Sequence, residues 1–217
     1  MAHSDPATPI RELIPPMLRH LLEVRGTEFV RQIGEDVIRQ VVLDVMCGRN
    51  LRDATEMLTR RRIALVNAGL VMLFLKGART DADFVSQLTD LAVDEWRQSR
   101  SRSDRWVLQW LLGLTDKAAQ NVLRDDPSAL DTYKEQYLQV TREVVEECER
   151  NFGTLRGTLG LDGEEWVQLN WAFLYHLLNA IGAGTLAIRG SEKSVYGKLF
   201  ERLILGSALH ILGFQPV

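Results

Sequence analysis

Residues 166–188, WVQLNWAFLYHLLNAIGAGTLAI, run on without one charged side chain, and how they are read decides the fold. About 20 apolar helical residues cross a bilayer, so length alone would permit a membrane span. Gln168, Asn170, His176 and Asn179 argue against it, because each would lose its hydrogen bonds to water inside lipid. The mean hydropathy of -0.10 is also low for a membrane protein. The run therefore reads as a central helix buried on most sides, with Gly182, Ala183 and Gly184 letting a neighbouring helix approach closely. Asp162 and Glu165 precede it at the spacing of a capping box. A shorter apolar run, residues 63–75 (IALVNAGLVMLFL), suits a second core helix better than a span.

Outward from these two runs, apolar residues recur at helical spacing and strand alternation never lasts more than a few positions. The expectation is an all-α, multi-helix bundle. One helix follows Pro15 and Pro16. Another covers residues 27–47, with Phe29, Val30, Ile33, Val37, Val41 and Val45 on or near one face and Gly48 as its stop. Asn50 caps a third that ends near Lys76 and Gly77. Residues 81–98 and 106–112 give two more, separated by the polar run QSRSRSDR. Asp126 and Pro127 start a helix reaching Asn151, and a final helix runs over residues 194–212.

The 217 residues, 46% of them hydrophobic, are enough for one large domain or two small ones with a real core, which excludes extended disorder. Lys and Arg number 26 against 29 Asp and Glu, a net charge of -3. That balance excludes a bulk polycation coating nucleic acid or an anionic membrane, and leaves room for a local basic face. Cys47 and Cys148 lie far apart with no CxxC partner, which fits a reducing cytoplasm. Residues 1–9 lack the basic start and apolar core of a secretory signal and read as a frayed tail.

Charge is shared unevenly. Residues 106–170 carry six basic and twelve acidic side chains, and residues 49–105 carry eleven and eight. Arg60, Arg61 and Arg62 point in three directions on a helix and cannot form one patch. Arg97, Arg100, Arg102 and Arg105 fall in the serine-rich run, where Arg100 and Arg102 are candidates for gripping phosphates. The bland reading of that run is a solvated linker.

Histidines at positions 3, 20, 176 and 210 are too scattered for a ligand set, and HExxH, GxGxxG, GxxxxGK[ST] and GxSxG strings do not occur. Metalloprotease, nucleotide-fold and α/β-hydrolase readings are thereby unsupported. His176 reads as a hydrogen-bonded core histidine rather than a catalytic base.

In GTLAIRGSEKSVYGKLFERLILGSALHILGF, residues 184–214, the group Arg189, Gly190, Ser191, Lys193 and Ser194 is expected just before a helix. Free backbone N–H groups, hydroxyls and two cations would meet there, as an anion requires. An ordinary serine-capped helix entry accounts for the same residues. On the following helix Glu201 shares an apolar arc with Gly197, Ile204, Leu205, Ala208 and Leu212, while Lys198 and Arg202 lie on another side. A carboxylate so placed is a candidate for metal-linked or acid–base work, or a rim glutamate paired across helices.

The pattern Gly197-x-x-Phe200-Glu201, followed by an apolar helix and Gly213-Phe214, resembles the first helix of the PD-(D/E)xK nuclease fold. With GLTDKAAQNVLRDDP and NAIGAGTLAI upstream, RGSEKSVYGKLFERLILGSALHILGF resembles the CfrBI-type family of type II restriction endonucleases over most of the chain. The resemblance implies an endonuclease cleaving double-stranded DNA with Mg²⁺, in which Glu201 matches the helix glutamate that supports the metal site. Arg189, Ser191, Lys193, Ser194 and Lys198, together with Arg100 and Arg102, are the candidate DNA contacts, and a homodimer is a candidate assembly.

The sequence departs from that family in lacking the (Asp/Glu)-x-Lys motif. Lys76, Lys117, Lys134, Lys193 and Lys198 follow Phe74, Thr115, Thr132, Ser191 and Tyr196 at the motif's spacing, never an acid. Metal-assisted phosphodiester hydrolysis needs carboxylates for the ion and usually a lysine. The expected organisation is a tail over residues 1–9, a helical domain over 10–188 and the start of a truncated nuclease core over 189–217, which the remaining core segment would complete. The competing function is a non-enzymatic helical module binding a ligand or a protein in an apolar pocket ringed by Trp166, Trp171, Tyr175 and His176.

Overall fold

The computed structural model describes residues 8–23, 35–49, 52–122, 128–211 and 213, some of them, including 192–204, at the backbone alone. Among the described residues the elements are α1 (Ile10–Leu13), α2 (Pro16–Glu23), α3 (Glu35–Met46), α4 (Arg52–Thr80), α5 (Phe84–Gln98), α6 (Arg102–Leu111), α7 (Asp116–Val122) and α8 (Ala129–Phe152). A small hairpin of β1 (Gly157–Leu159) and β2 (Val167–Leu169) follows, and then α9 (Trp171–Ile211). The protein is all-α apart from that antiparallel pair, in which Thr158 faces Gln168. The Asn50 cap and the Asp126–Pro127 start lie outside the described residues.

The chain divides into two compact units. The first comprises Met1–Leu22 and Val66–Leu186, the second Glu23–Leu65 and Ala187–Val217. In the first, Leu70, Phe74, Phe84, Leu88, Leu108 and Phe173 are fully or almost fully buried. The Phe74 ring meets Phe84 and Phe173 edge-on, with centroids 6.0 and 5.6 Å apart, an arrangement aromatic quadrupoles favour. Polar ties join the elements around this core. Glu95 of α5 accepts hydrogen bonds from the Ile10 and Arg11 N–H groups, satisfying donors that the short α1 leaves without internal partners. Arg19 pairs with Asp104 at 2.7 Å, and Arg97 and Lys134 link α5 to α8 through Asp131 and Asp90.

The uncharged run does not begin its helix where the capping-box spacing placed it. Asp162 and Glu165 belong to the hairpin connection, Val167–Leu169 is strand, and the helix starts at Trp171. Asn170 is the cap: its Oδ1 accepts from the Phe173 N–H at 2.8 Å. Arg79 of α4 fastens the hairpin, bonding the Glu164 carboxylate and, at 2.9 Å, the Glu165 carbonyl. The run is also buried on one face rather than most: Phe173, His176, Leu177, Ala180 and Ala183 are buried, whereas Leu178 and Leu186 are exposed. The close approach falls at Gly184, where an added Cβ would lie 3.1 Å from the Trp110 ring, while Gly182 faces open space. By length and composition, residues Thr59–Thr80 and Trp171–Ser191 could each cross a membrane.

In the second unit α3 ends at Met46, and Gly48 takes φ +73°, which glycine adopts without Cβ strain, as the expected stop. Helix α4, expected to end near Lys76 and Gly77, enters the first unit and runs on past Gly77 to Thr80, so that glycine is a packing position and not a terminus. Cys47 and Cys148 are free.

Candidate nucleic-acid interface

Helix α9 continues unbroken from Trp171 to Ile211, so no separate final helix begins near Ser194. Arg189, Gly190, Ser191, Lys193 and Ser194 are therefore mid-helix, where backbone N–H groups are engaged in the i to i−4 ladder and no positive helix end is available to an anion. Two local terms explain the continuity. A lone glycine costs a helix about 1 kcal/mol relative to alanine, too little to break it. The Ser191 hydroxyl donates to the Ile188 carbonyl at 2.9 Å instead of capping a new helix.

Arg189 is exposed and stands 3.5 Å from the Glu56 carboxylate, which also accepts from Arg60 at 2.9 Å. The Arg60 hydrogen bond, with Arg189 nearby, holds the Glu56 carboxyl below its ordinary pKa. Arg189 and Ser191 thus share one stretch of helix in the second unit. Lys193, Ser194, Lys198 and Glu201 follow them along α9, and their side chains lie outside the described residues.

Arg100 and Arg102 belong to the first unit. The serine-rich run is not the open linker expected of it, because α6 begins at Arg102. Ser101 is its cap, with Oγ accepting from the Asp104 N–H. Starting the helix there puts Arg102 one turn before Trp106, and its guanidinium carbon sits 4.6 Å from that ring's centroid. Arg105 lies 4.3 Å from the ring centroid of Trp96 on α5. Arg105, Trp96 and Trp106 lie outside the candidate set read from the sequence; the Ser101-x-x-Asp104 cap is the signal that puts Arg102 and Trp106 one turn apart on α6.

Of the aromatic residues proposed to ring a ligand pocket, Tyr175 and His176 meet edge-on with centroids 5.7 Å apart. Trp166 is 61% exposed and packs against Gly160. Trp171 donates through Nε1 to the Gly153 carbonyl at 2.8 Å. His176 is buried with Nδ1 3.4 Å from the Tyr137 hydroxyl, as a core histidine should be, and burial lowers its pKa to about 4. Burial pushes the Tyr137 phenol up. Among the described residues no three His, Cys, Asp or Glu side chains group as metal ligands, and the side chain of Glu201, the candidate Mg²⁺ carboxylate, lies outside them.

A family model described as CfrBI restriction endonuclease matches residues 35–217, the stretch that contains both arginine-bearing segments and all of α9. The chain belongs to the CfrBI restriction endonuclease family. A curated CfrBI-family relative, "Type II restriction enzyme CfrBI" of Citrobacter freundii, is 34% identical over 206 residues, covering 94% of this chain and 56% of the relative. The chain thus spans little more than half the length of the curated relative it matches. No solved structure matches this CfrBI-family chain.

Proposed function

We propose that this chain is the helical part of a type II restriction endonuclease that cleaves double-stranded DNA, and that it serves DNA binding, dimerisation or scaffolding and does not cleave by itself. The observation that carries the reading is the 34% identity to a type II restriction enzyme across 94% of the chain. In this reading residues 189–217 start the nuclease core, and the remaining core segment supplies the (Asp/Glu)-x-Lys motif that the five lysines here do not provide. Glu201 is then the helix carboxylate that supports Mg²⁺ in the complete enzyme. The protein works in the cytoplasm and not in a membrane.

DNA contact falls to Arg189, Ser191, Lys193, Ser194 and Lys198 on α9, and to Arg100 and Arg102 at the start of α6. On α9, with no helix end to reinforce them, Arg189, Lys193 and Lys198 supply charge and the two serines supply hydrogen bonds to phosphate oxygens, and affinity follows counterion release. The net charge of -3 keeps that affinity weak. Fluorescence anisotropy of a labelled 20-base-pair duplex, titrated with the chain from 20 to 200 mM salt, tests it. Weak binding that falls steeply with salt is expected; absence of binding even at 20 mM would remove the DNA-contact reading.

A further inference from the structure

We propose that a cleft in the first unit binds a single nucleotide with an unpaired base, stacking the base on arginine-backed indole rings and taking the phosphate on unpaired guanidinium groups. The cleft encloses about 510 Å³, within the range of small-ligand sites. Its lining brings Trp96, Arg100, Arg102, Arg105 and Trp106 together with Gln109 and Asp116.

Three observations support this ligand class. First, the cations are unspent. Arg19, Arg79, Arg97 and Lys134 of the same unit are paired with carboxylates, and Asp104, the acid nearest in sequence to Arg102 and Arg105, is taken by Arg19. Arg100, Arg102 and Arg105 are exposed and form no ion pair among the described residues. Each keeps N–H donors of the fork geometry that fits a phosphate.

Second, the aromatic faces and the cations are already matched. Arg102 over Trp106 and Arg105 over Trp96 are held at 4.6 and 4.3 Å, which reduces the freedom to be lost when a ligand binds. Nucleobases stack on indoles and on guanidinium planes alike. An acidic peptide would use the cations and leave the rings idle.

Third, the wall is preorganised by a buried amide. Gln109 is 7% exposed, and in the orientation that satisfies both neighbours it donates to Asp116 at 3.0 Å and accepts from Trp96 Nε1 at 3.1 Å. Those bonds fix the Trp96 ring and occupy the one carboxylate in the lining among the described residues. The remaining balance of three cations to one anion favours a phosphate.

The proposal stands on the cleft's own geometry and needs neither the duplex contacts nor the nuclease core proposed above. The same chemistry is offered by a free nucleotide or by an unpaired nucleotide in a DNA strand. The full chain is titrated against fluorescein-labelled dT12, with thymidine monophosphate as competitor and a 12-base-pair duplex alongside. Trp106→Ala should weaken dT12 binding by about five- to a hundredfold. Replacing Arg100, Arg102 and Arg105 together by Gln should flatten the slope of log affinity against log salt by about 0.7, the value for the one single-strand phosphate that the cleft holds. These three residues are exposed, so that variant keeps its fold even if Trp106→Ala does not, and circular dichroism checks both. Displacement by the monophosphate identifies a free nucleotide as the ligand, and binding of the strand alone identifies DNA. An affinity and slope unchanged in the arginine variant, or binding of neither probe, overturns the proposal. A chain that binds the duplex but neither probe loses the cleft alone, and one that binds dT12 through the cleft without duplex affinity loses only the duplex reading.

Discussion

Tyr137 of α8 and His176 of α9 meet inside the first unit, with the phenol oxygen 3.4 Å from Nδ1 and the two rings 5.7 Å apart. The contact joins the most acidic of the described helices to the uncharged run at a point where water is excluded, and it fixes how the protein answers to acid. Burial holds the imidazole pKa at about 4 against an ordinary 6.5. From pH 6.5 down to about 4 the unfolded chain therefore binds a proton that the folded protein refuses. The stability due to a neutral His176 is complete above pH 6.5, falls as the pH drops through that window, and levels off below about 4.

The expected loss between pH 7 and pH 5 is on the order of 2 kcal/mol from this one group. Urea unfolding at the two pH values measures it. In His176→Gln the difference between the midpoints should shrink, because glutamine does not titrate. An equal pH dependence in both proteins would show that His176 is not held neutral by the fold.

Packing makes a second prediction, since two glycines on helices of the first unit face opposite surroundings. A Cβ at Gly77 would lie 2.5 Å from ring atoms of the buried Phe84, whereas one at Gly182 would meet nothing within 4 Å. Overpacking costs about 1–3 kcal/mol, and replacing a helical glycine by alanine returns up to about 1 kcal/mol. Gly77→Ala should destabilise by about 1 kcal/mol net, and Gly182→Ala should stabilise by a fraction of that amount or more. Thermal unfolding of the two variants separates them, and equal melting temperatures would contradict the packing given for Phe84.

Why some of this was legible in the sequence and some was not follows from the range of the interactions involved. The all-α class rests on 3.6-residue periodicity repeated along the chain, and the buried His176 rests on its apolar neighbours; both signals are local. The hairpin escaped because each strand is three residues long, too short for alternation to register, and its anchor, Arg79 on the Glu165 carbonyl, is 86 residues away in sequence. Asp162 and Glu165 have capping-box spacing, yet they sit in the hairpin connection, while the true cap, Asn170, is adjacent to the helix it starts.

The helix start expected at Ser194 is absent because propensity carries less weight than packing along a continuous helix. Gly190 and Ser191 look like a helix break, but the helix on both sides absorbs one glycine, and the serine hydroxyl turns back to Ile188. In the serine-rich run the opposite error arose. Ser101 and Asp104 form a real cap, and only with the helix begun at Arg102 does the Arg102-x-x-x-Trp106 spacing become a stacked pair. The Arg105–Trp96 partner could not be read at all, since it depends on how α5 and α6 pack.

Duplex binding supplies a third prediction. Changing Lys193 and Lys198 to Ala should flatten the slope of log affinity against log salt by up to about two units, close to one per phosphate contact. The helical signal should not change. A slope unaltered by the double substitution would exclude this part of α9 from the DNA surface.

The most direct test of the account is incubation of the 217-residue chain in molar excess with plasmid DNA and Mg²⁺, followed by gel electrophoresis. The account predicts that the plasmid stays intact, because metal-assisted hydrolysis needs carboxylates and a lysine in a set that this sequence does not contain. Cleavage by the purified chain that Glu201→Ala abolishes would contradict it, showing that the 217 residues hold a complete nuclease site.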